Sequence, residues 1–362
     1  MDSRFIFHPD NRKSLYFTQV LNLKPYGSTS RSSSMQVTEP IIKSLYANHR
    51  DSYKALAKLL EAHQKQPLST QELFPIEAYD KGIIHIVNAI TNPMGVLLTE
   101  KNVYINGGCL CNSPQHMQMS YTQIKPKIPH VTNAISIAAM WAEGIWHFPA
   151  EAFVALMSVP EKNLTDKNTY IHVSKKTSYV MQWLSLLHID DARVIDGFVH
   201  AEHLYIPRMG KCGNPYESQI VWLKDLLYRS LSLLPNRDPS QVILVKRNHK
   251  RALQNFDALK SFVYAFANTK NLDVYEHDDS NLPSLQIQQE QFHRAKYVFA
   301  PHGAAGIHLF AMQPQTHYVE FLDIGNMNVC YMRLAYLLNI HYIGVDMVRN
   351  NVNMEALVSV TL

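Results

Sequence analysis

The stretch "YVFAPHGAAGIHLFAM", residues 297–312, contains the pattern that decides the fold. Residues 297–300 predict a buried strand, 301–305 a loop of small residues, and 306–312 the first turns of a helix. A strand that passes through small residues into a helix is typical of a parallel α/β sheet. In such sheets, ligands bind beyond the carboxyl ends of the strands.

The same alternation of apolar runs and helical patterns fills the second half of the chain. The runs are "QVILVKR" (241–247), "LDVYEH" (272–277), "KYVFAPHG" (296–303), "HYVEFL" (317–322) and "HYIGVD" (341–346). Strands interleaved with helices of this length predict βαβ units and a Rossmann-like domain.

The first half predicts a second doubly wound domain. Short strands are predicted from about residue 75, a long helical segment over 131–159, and alternating strands and helices over 169–207. We therefore predict an α/β protein with two Rossmann-like domains facing across a cleft. The predicted parts are an irregular segment with an amphipathic helix (1–70), a first Rossmann-like domain (71–225), a second (226–345) and a C-terminal tail (346–362). The helix near residues 40–62 packs on a core or on a partner, so a homo-oligomer stays possible.

Composition excludes several classes of partner. The chain has 362 residues, 46% of them hydrophobic, and a net charge of +4, with no block of Lys and Arg that would indicate nucleic acid binding. No run of 18 apolar residues predicts a membrane span, and the N-terminus lacks the apolar core of a signal peptide. A cytoplasmic location is the resulting expectation. The four cysteines (Cys109, Cys111, Cys212, Cys330) are too few and too scattered for a disulfide framework. We therefore predict that they are buried thiols.

The loop after the strand at 297–300 is the first candidate site. Gly303, Ala304, Ala305 and Gly306 keep bulky side chains away from the backbone, so a diphosphate could approach the amide groups. His302 could donate a hydrogen bond to a phosphate or ribose oxygen. A tight turn with a capping histidine explains the loop equally well.

A basic cluster and a carboxylate flank that loop in the predicted sheet. Lys246 and Arg247 end the strand at 241–247, and Arg251 follows four residues later. A guanidinium bonds two phosphate oxygens at once, which favours an anion site over a solvated basic loop. Glu320 lies near the end of a strand, where an acidic side chain can take ribose hydroxyls or remain in solvent. Asp278 and Asp279 are predicted to be solvated surface charges.

The apolar stretch "EGIWHFPAEAFVAL", residues 143–156, contains a candidate acid–base pair. His147 and Glu151 are four residues apart, so a helix would place both on one face. An apolar environment can poise a carboxyl group as a general base. A surface glutamate at the first turn of a helix is the alternative.

These four stretches, in this order, resemble glycosyltransferase family 61. The strongest likeness is "PHGAAGIHLFAMQPQTHYVEFL" (301–322), which resembles the family's His-Gly-Ala-Gly-Leu motif and following Val-Val-Glu-Ile strand. The segment "VKRNHKRALQN" resembles its Arg-rich strand end through Arg247, Arg251 and Asn255. His147 and Glu151 match a His-x-x-x-Asp/Glu pattern. This chain departs from the family at Ala305, where the motif carries its second glycine.

The resemblance implies a GT-B architecture and an inverting glycosyltransferase that requires no metal and no cofactor beyond its UDP-sugar donor. It implies transfer of xylose, N-acetylglucosamine or a related sugar to a glycan or glycoprotein. The first domain would bind the acceptor, with Glu151 as the base and His147 orienting it, or with His147 as the base. Lys246, Arg247, Arg251, His302, Glu320 and the amides of 303–306 would bind the nucleotide-sugar in the second domain. A nucleotide-sugar epimerase and a non-catalytic nucleotide-sugar or glycan-binding protein are the rival interpretations.

Overall fold

The structure is a computed structural model that describes residues 35–47, 58, 82–100, 103–105, 128–210, 212–233, 238–249, 251–325 and 327–361. The chain divides into two compact units, one containing Ala78–Gln219 and the other containing Ile220–Leu362 together with Pro25–Glu77. Helices and strands alternate in both, which confirms the predicted α/β class.

The sheet of the first unit is mixed rather than wholly parallel. It consists of β2 (Ile83–Thr91), β3 (Val96–Leu98), β4 (Val103–Ile105), β5 (His130–Ser136), β6 (Thr169–His172), β7 (Val194–Ile195) and β8 (Val199–Pro207). Their order is β4-β3-β2-β8-β5-β6-β7. The strands β8, β5, β6 and β7 run parallel, whereas β2 pairs antiparallel with β8 and carries the β3–β4 hairpin. Only one side of this sheet therefore follows the Rossmann-like expectation.

Among the described residues, two α-helices and a π-helical turn accompany this sheet, besides two short 3₁₀ helices. They are α2 (Glu161–Thr165), α3 (Ser178–Ser185) and the π-helical turn Phe148–Phe153. The prediction of helix over 131–159 was wrong at its start, because β5 ends only at Ser136. The apolar run "AISIAA" fits a buried strand as well as a helix, since a strand buried on both faces loses its alternating pattern.

The strands of the sheet in the second unit are parallel, except for one short antiparallel strand that pairs with β13. Its strands are β1 (Met35–Val37), β9 (Gln241–Lys246), β10 (Asp273–Asp278), β11 (Ala295–Pro301), β12 (His317–Asp323), β13 (His341–Val348) and β14 (Asn351–Val352). The order is β1-β13-β12-β11-β9-β10, with β14 paired to β13. Its helices are α4 (Glu217–Ser230), α5 (Phe256–Thr269), α6 (Leu285–His293), α7 (Cys330–Leu337) and α8 (Met354–Thr361). The predicted alternation is confirmed here, and the carboxyl ends of β9, β11 and β12 meet at one edge.

The described residues 35–47 and 346–361 belong to the second unit, which corrects two predicted boundaries. The strand β1, assigned to a separate segment (1–70), pairs in parallel with β13, and α1 (Glu39–Ala47) buries Ile41 completely. The predicted tail (346–362) begins inside β13 and contains α8, whose Leu357 lies in the core beside Val263 and Phe299. The described part of α1 thus covers this unit's core. None of the described helices is long and apolar enough to cross a membrane.

Candidate functional site

His302 is held in one orientation at the carboxyl end of β11. Its Nδ1 lies 2.6 Å from Glu320 Oε1, and the Tyr342 hydroxyl donates to Glu320 Oε2 at 2.6 Å. Glu320 is fully buried on β12, so both of its oxygens serve this network. The expected contact of Glu320 with ribose hydroxyls does not fit this geometry. The carboxylate instead orients the imidazole, because it accepts the Nδ1 proton.

Two arginines converge on the backbone of the same histidine. The Nη1 atoms of Arg247 and Arg251 donate to the carbonyl oxygen of His302, at 3.3 Å and 3.1 Å respectively. Arg251 does so from a left-handed backbone conformation (φ 66°), before α5 begins. Burial and the neighbouring Arg251 charge lower the pKa of the Arg247 guanidinium. Two adjacent cations at a strand end form an environment that an anion would stabilise.

The glycines of the loop serve a different purpose from the predicted one. A Cβ at Gly303 would lie 2.0 Å from Arg247 Nη1, and a Cβ at Gly306 would lie 2.3 Å from the Tyr331 ring. Their missing side chains therefore admit Arg247 and Tyr331, and the approach of a ligand to the backbone is not needed to explain them. Ala304 and Ala305, which were predicted to lie in the loop, are half-buried in a seven-residue 3₁₀ helix (Ala304–Phe310), whereas a helix was predicted only from residue 306.

Asp278, the last residue of β10, and Asp279 are partners of the basic cluster, which corrects the prediction of solvated surface charge. Lys246 Nζ lies 3.0 Å from Asp278 Oδ2, and Arg247 Nε lies 3.8 Å from Asp279 Oδ2. Hydrogen bonds from Ser280, and then from Lys246 and Asn248, hold the pKa of Asp278 below its usual value. Lys246 is therefore paired with Asp278, which argues against its predicted role as a ligand contact.

The first unit carries a second histidine–carboxylate pair. His147 precedes the π-helical turn Phe148–Phe153, and its Nδ1 lies 2.7 Å from Glu151 Oε1. The backbone N–H of Gly213 donates to the same oxygen at 2.7 Å. The Glu151 side chain is only 5% exposed, whereas that of His147 is 30% exposed. Of the two side chains, His147 is the one that a substrate can reach.

The same pair, together with Cys212, resembles a metal-binding set. The nearest ligand atoms of His147, Glu151 and Cys212 all lie within 4.8 Å of one another. Cys212 is disulfide-bonded, however, and a disulfide sulfur lacks the thiolate that binds a metal ion. The donor set in this state therefore does not fit a structural metal. The disulfide also corrects the prediction of a buried thiol at this position, while Cys330 is the buried thiol that was expected.

Several residues of these clusters were missed by sequence reasoning. Tyr342 and Tyr331 look like ordinary core residues, because nothing in their local pattern shows that one bonds Glu320 and the other packs on His302 at 4.9 Å between ring centroids. Gly213 acts through its backbone, which no side-chain motif could reveal. Asn255, singled out with the arginines, bonds the backbone of Val352 on β14 and so has a structural role.

The clusters described above define an α/β protein with a basic strand-end site in one unit and a histidine–carboxylate pair in the other. The family model for Glycosyltransferase 61 matches residues 145–319. This match supports membership of the family that the sequence motifs predicted, and it supports glycosyltransferase activity at the level of the family. No curated protein matches the sequence.

Proposed function

We propose that the protein is an inverting, metal-independent glycosyltransferase that moves xylose, N-acetylglucosamine or a related sugar from a UDP-sugar to a glycan or glycoprotein. The convergence of Arg247 and Arg251 on the loop of His302 is the observation that carries the proposal. The GT-B architecture belongs to the same proposal. In it, the second unit binds the donor, and the first unit supplies the base.

In this mechanism, His147 is the base and Glu151 orients it. The acceptor hydroxyl oxygen attacks the anomeric carbon, the bond from that carbon to the diphosphate breaks, and the hydroxyl proton passes to His147 Nε2. Glu151 is buried and accepts from His147 Nδ1, which selects the tautomer whose Nε2 can take a proton. The greater exposure of the His147 side chain supports this choice between the two alternatives that the sequence left open.

The departing UDP carries negative charge that the second unit can stabilise. Arg251 and Arg247 supply fixed positive charge without a cation. An anionic diphosphate near His302 would favour the doubly protonated ring, whose Nε2 donates to a phosphate oxygen while Nδ1 stays bonded to Glu320. Glu320 and Tyr342 are then positioning residues.

A thermal-shift panel tests the donor half of the proposal. UDP, GDP, CMP and ADP, and then UDP-sugars, are compared with and without EDTA. A ligand that binds only the folded protein raises its apparent stability by mass action. We expect UDP to stabilise the protein selectively and the shift to survive EDTA.

Arg251→Ala should weaken UDP binding by roughly 10- to 100-fold, since a hydrogen bond to a charged group contributes about 1.5–3 kcal/mol. Lys260→Ala, which removes an exposed lysine paired with Glu276, is the matched control.

The outcomes separate the rival functions. A shift that disappears in EDTA would implicate a cation and contradict metal independence. Interconversion of the sugar without an acceptor would favour an epimerase. Normal UDP binding with no release of UDP in the presence of any acceptor would favour a non-catalytic binding protein.

The base is tested with conservative variants. Glu151→Gln should retain UDP binding and lower transfer by about 10²–10⁴-fold, the usual contribution of a positioned base, because the amide does not fix the His147 tautomer. His147→Ala should lose as much. Equal turnover in Glu151→Gln and the wild type would remove Glu151 from the mechanism.

A further inference from the structure

The loop before the His147–Glu151 pair presents a tryptophan in an unusual backbone conformation. Trp141 has φ 65°, in the left-handed region that bulky side chains rarely adopt. Its side chain is also 58% exposed, so core packing does not explain why an indole stands here. A backbone outlier that packing does not require points to a function for the residue.

Hydrogen bonds hold this loop on both sides of Trp141. Ser174 Oγ accepts from the backbone N–H of Ala139 at 3.1 Å and donates to its carbonyl oxygen at 3.0 Å. The N–H of Gly144 donates to the Trp141 carbonyl at 2.8 Å. The Tyr179 hydroxyl donates to the Ile145 carbonyl at 2.6 Å. The indole is therefore presented from a fixed backbone.

The loop lies directly beside the proposed base. A Cβ at Gly144 would lie 3.1 Å from the Trp141 carbonyl oxygen and 3.6 Å from His147 Cδ2, so one glycine separates them. Ile145, between Gly144 and His147 in the chain, is 42% exposed, and Glu143 is exposed as well. The exposed residues Trp141, Glu143 and Ile145 thus all lie within six positions of His147 in the chain.

We propose that Trp141 is a binding platform for a pyranose ring of the acceptor. A pyranose has an apolar C–H face that packs on an aromatic ring and a rim of hydroxyls that hydrogen-bond to groups such as the Glu143 carboxylate. The proposal rests on the proposed function, because His147 must act on an acceptor hydroxyl.

A binding measurement without donor tests this site independently of the transfer reaction. Methyl β-xylopyranoside, methyl β-mannopyranoside, methyl N-acetyl-β-glucosaminide and xylotetraose are titrated into the full chain and followed by saturation-transfer NMR and calorimetry. Trp141→Ala should weaken binding of the sugar that the wild type binds best by at least about fivefold, and Trp141→Tyr should restore most of it. Trp141→Asn tolerates the left-handed backbone and separates loss of the ring from loss of the fold.

Matched readouts keep the result interpretable. Tyr264→Ala removes an aromatic ring that is 44% exposed on α5 of the second unit and should bind sugars as the wild type does. The Trp141 variants should also keep the thermal shift with UDP, because they alter the other unit. A missing UDP response in the wild type bears on the proposed function alone. Wild-type sugar affinity in Trp141→Ala and Trp141→Asn, no binding of any of the four sugars by the wild type, or a Trp141-dependent change in oligomeric mass would overturn the platform.

Discussion

The clearest consequence at the scale of single residues concerns Gly303. Its missing side chain leaves the space that Arg247 Nη1 occupies, since a Cβ there would lie 2.0 Å away. Gly303→Ala should therefore displace the Arg247 guanidinium and weaken UDP binding by roughly tenfold, as expected when one charged hydrogen bond is lost. The measurement is the UDP dissociation constant by calorimetry.

Gly325→Ala is the control for this substitution. A Cβ at Gly325 would meet its nearest neighbour, Asp323 Oδ1, at 3.4 Å, which is ordinary contact. Full UDP affinity in Gly303→Ala would show that Arg247 does not bind the nucleotide.

Motifs and side-chain contacts differ in how far the sequence reveals them. The sequence located His302, Glu320 and Arg247 because each stands at or near the end of a predicted strand, and it located Arg251 because that residue follows Arg247 four positions later. It could not show that Glu320 turns into the core to hold His302, because that orientation depends on Tyr342 on the next strand. The loop glycines were likewise recognised, but their partners Arg247 and Tyr331 come from elsewhere in the fold.

At the scale of elements, β1 depends on a side-chain hydrogen bond as well as on its strand pairing. Thr38 Oγ1 follows β1, donates to Asp346 Oδ1 at 2.7 Å and accepts from the Asp346 backbone N–H at 3.2 Å. Both side chains are buried. Thr38→Val keeps the shape and leaves a buried carboxylate with one partner fewer, so it should lower the free energy of unfolding by about 1–3 kcal/mol.

Chemical denaturation measures this loss, and Thr38→Ser should recover most of it because the hydroxyl remains. Equal stability of Thr38→Val and the wild type would mean that β1 contributes through backbone pairing alone. The 35–47 region shows why such elements escape sequence analysis. A three-residue strand gives no periodic signal, and its partner β13 is some 300 positions away along the chain.

At the scale of the whole molecule, buried histidines make stability depend on pH. Burial lowers the pKa of His172 in the first unit and of His277 in the second to about 4, from the usual 6.5. Between these values the unfolded chain binds protons that the folded chain does not, so stability falls as the pH drops from 6.5 towards 4. Each histidine should contribute about 1–2 kcal/mol of this loss at pH 5.

Urea unfolding at pH 7.5 and pH 5 measures the effect. His172→Gln should make the stability of the first unit less dependent on pH. Substitution of the exposed His188 should leave that pH dependence unchanged. A stability that is constant across this range would contradict the assignment of neutral, buried histidines.

The disulfide of Cys212 links the stability of the molecule to its proposed chemistry. The next residue, Gly213, donates its backbone N–H to Glu151 at 2.7 Å, so the bond anchors the backbone beside the proposed base. Reduction by a dithiol should lower stability by about 2–4 kcal/mol, the usual effect of losing a disulfide, and should slow transfer. Cys212→Ser should reproduce the reduced protein and no longer respond to dithiol, while Cys330→Ser should respond as the wild type does. Disulfides persist in oxidising compartments and are rare in the cytosol, so this sensitivity also tests the cytoplasmic location expected from the sequence. If the reductant changed neither the thermal midpoint nor the activity of the wild type, the disulfide would contribute neither to the stability of the fold nor to the position of Glu151.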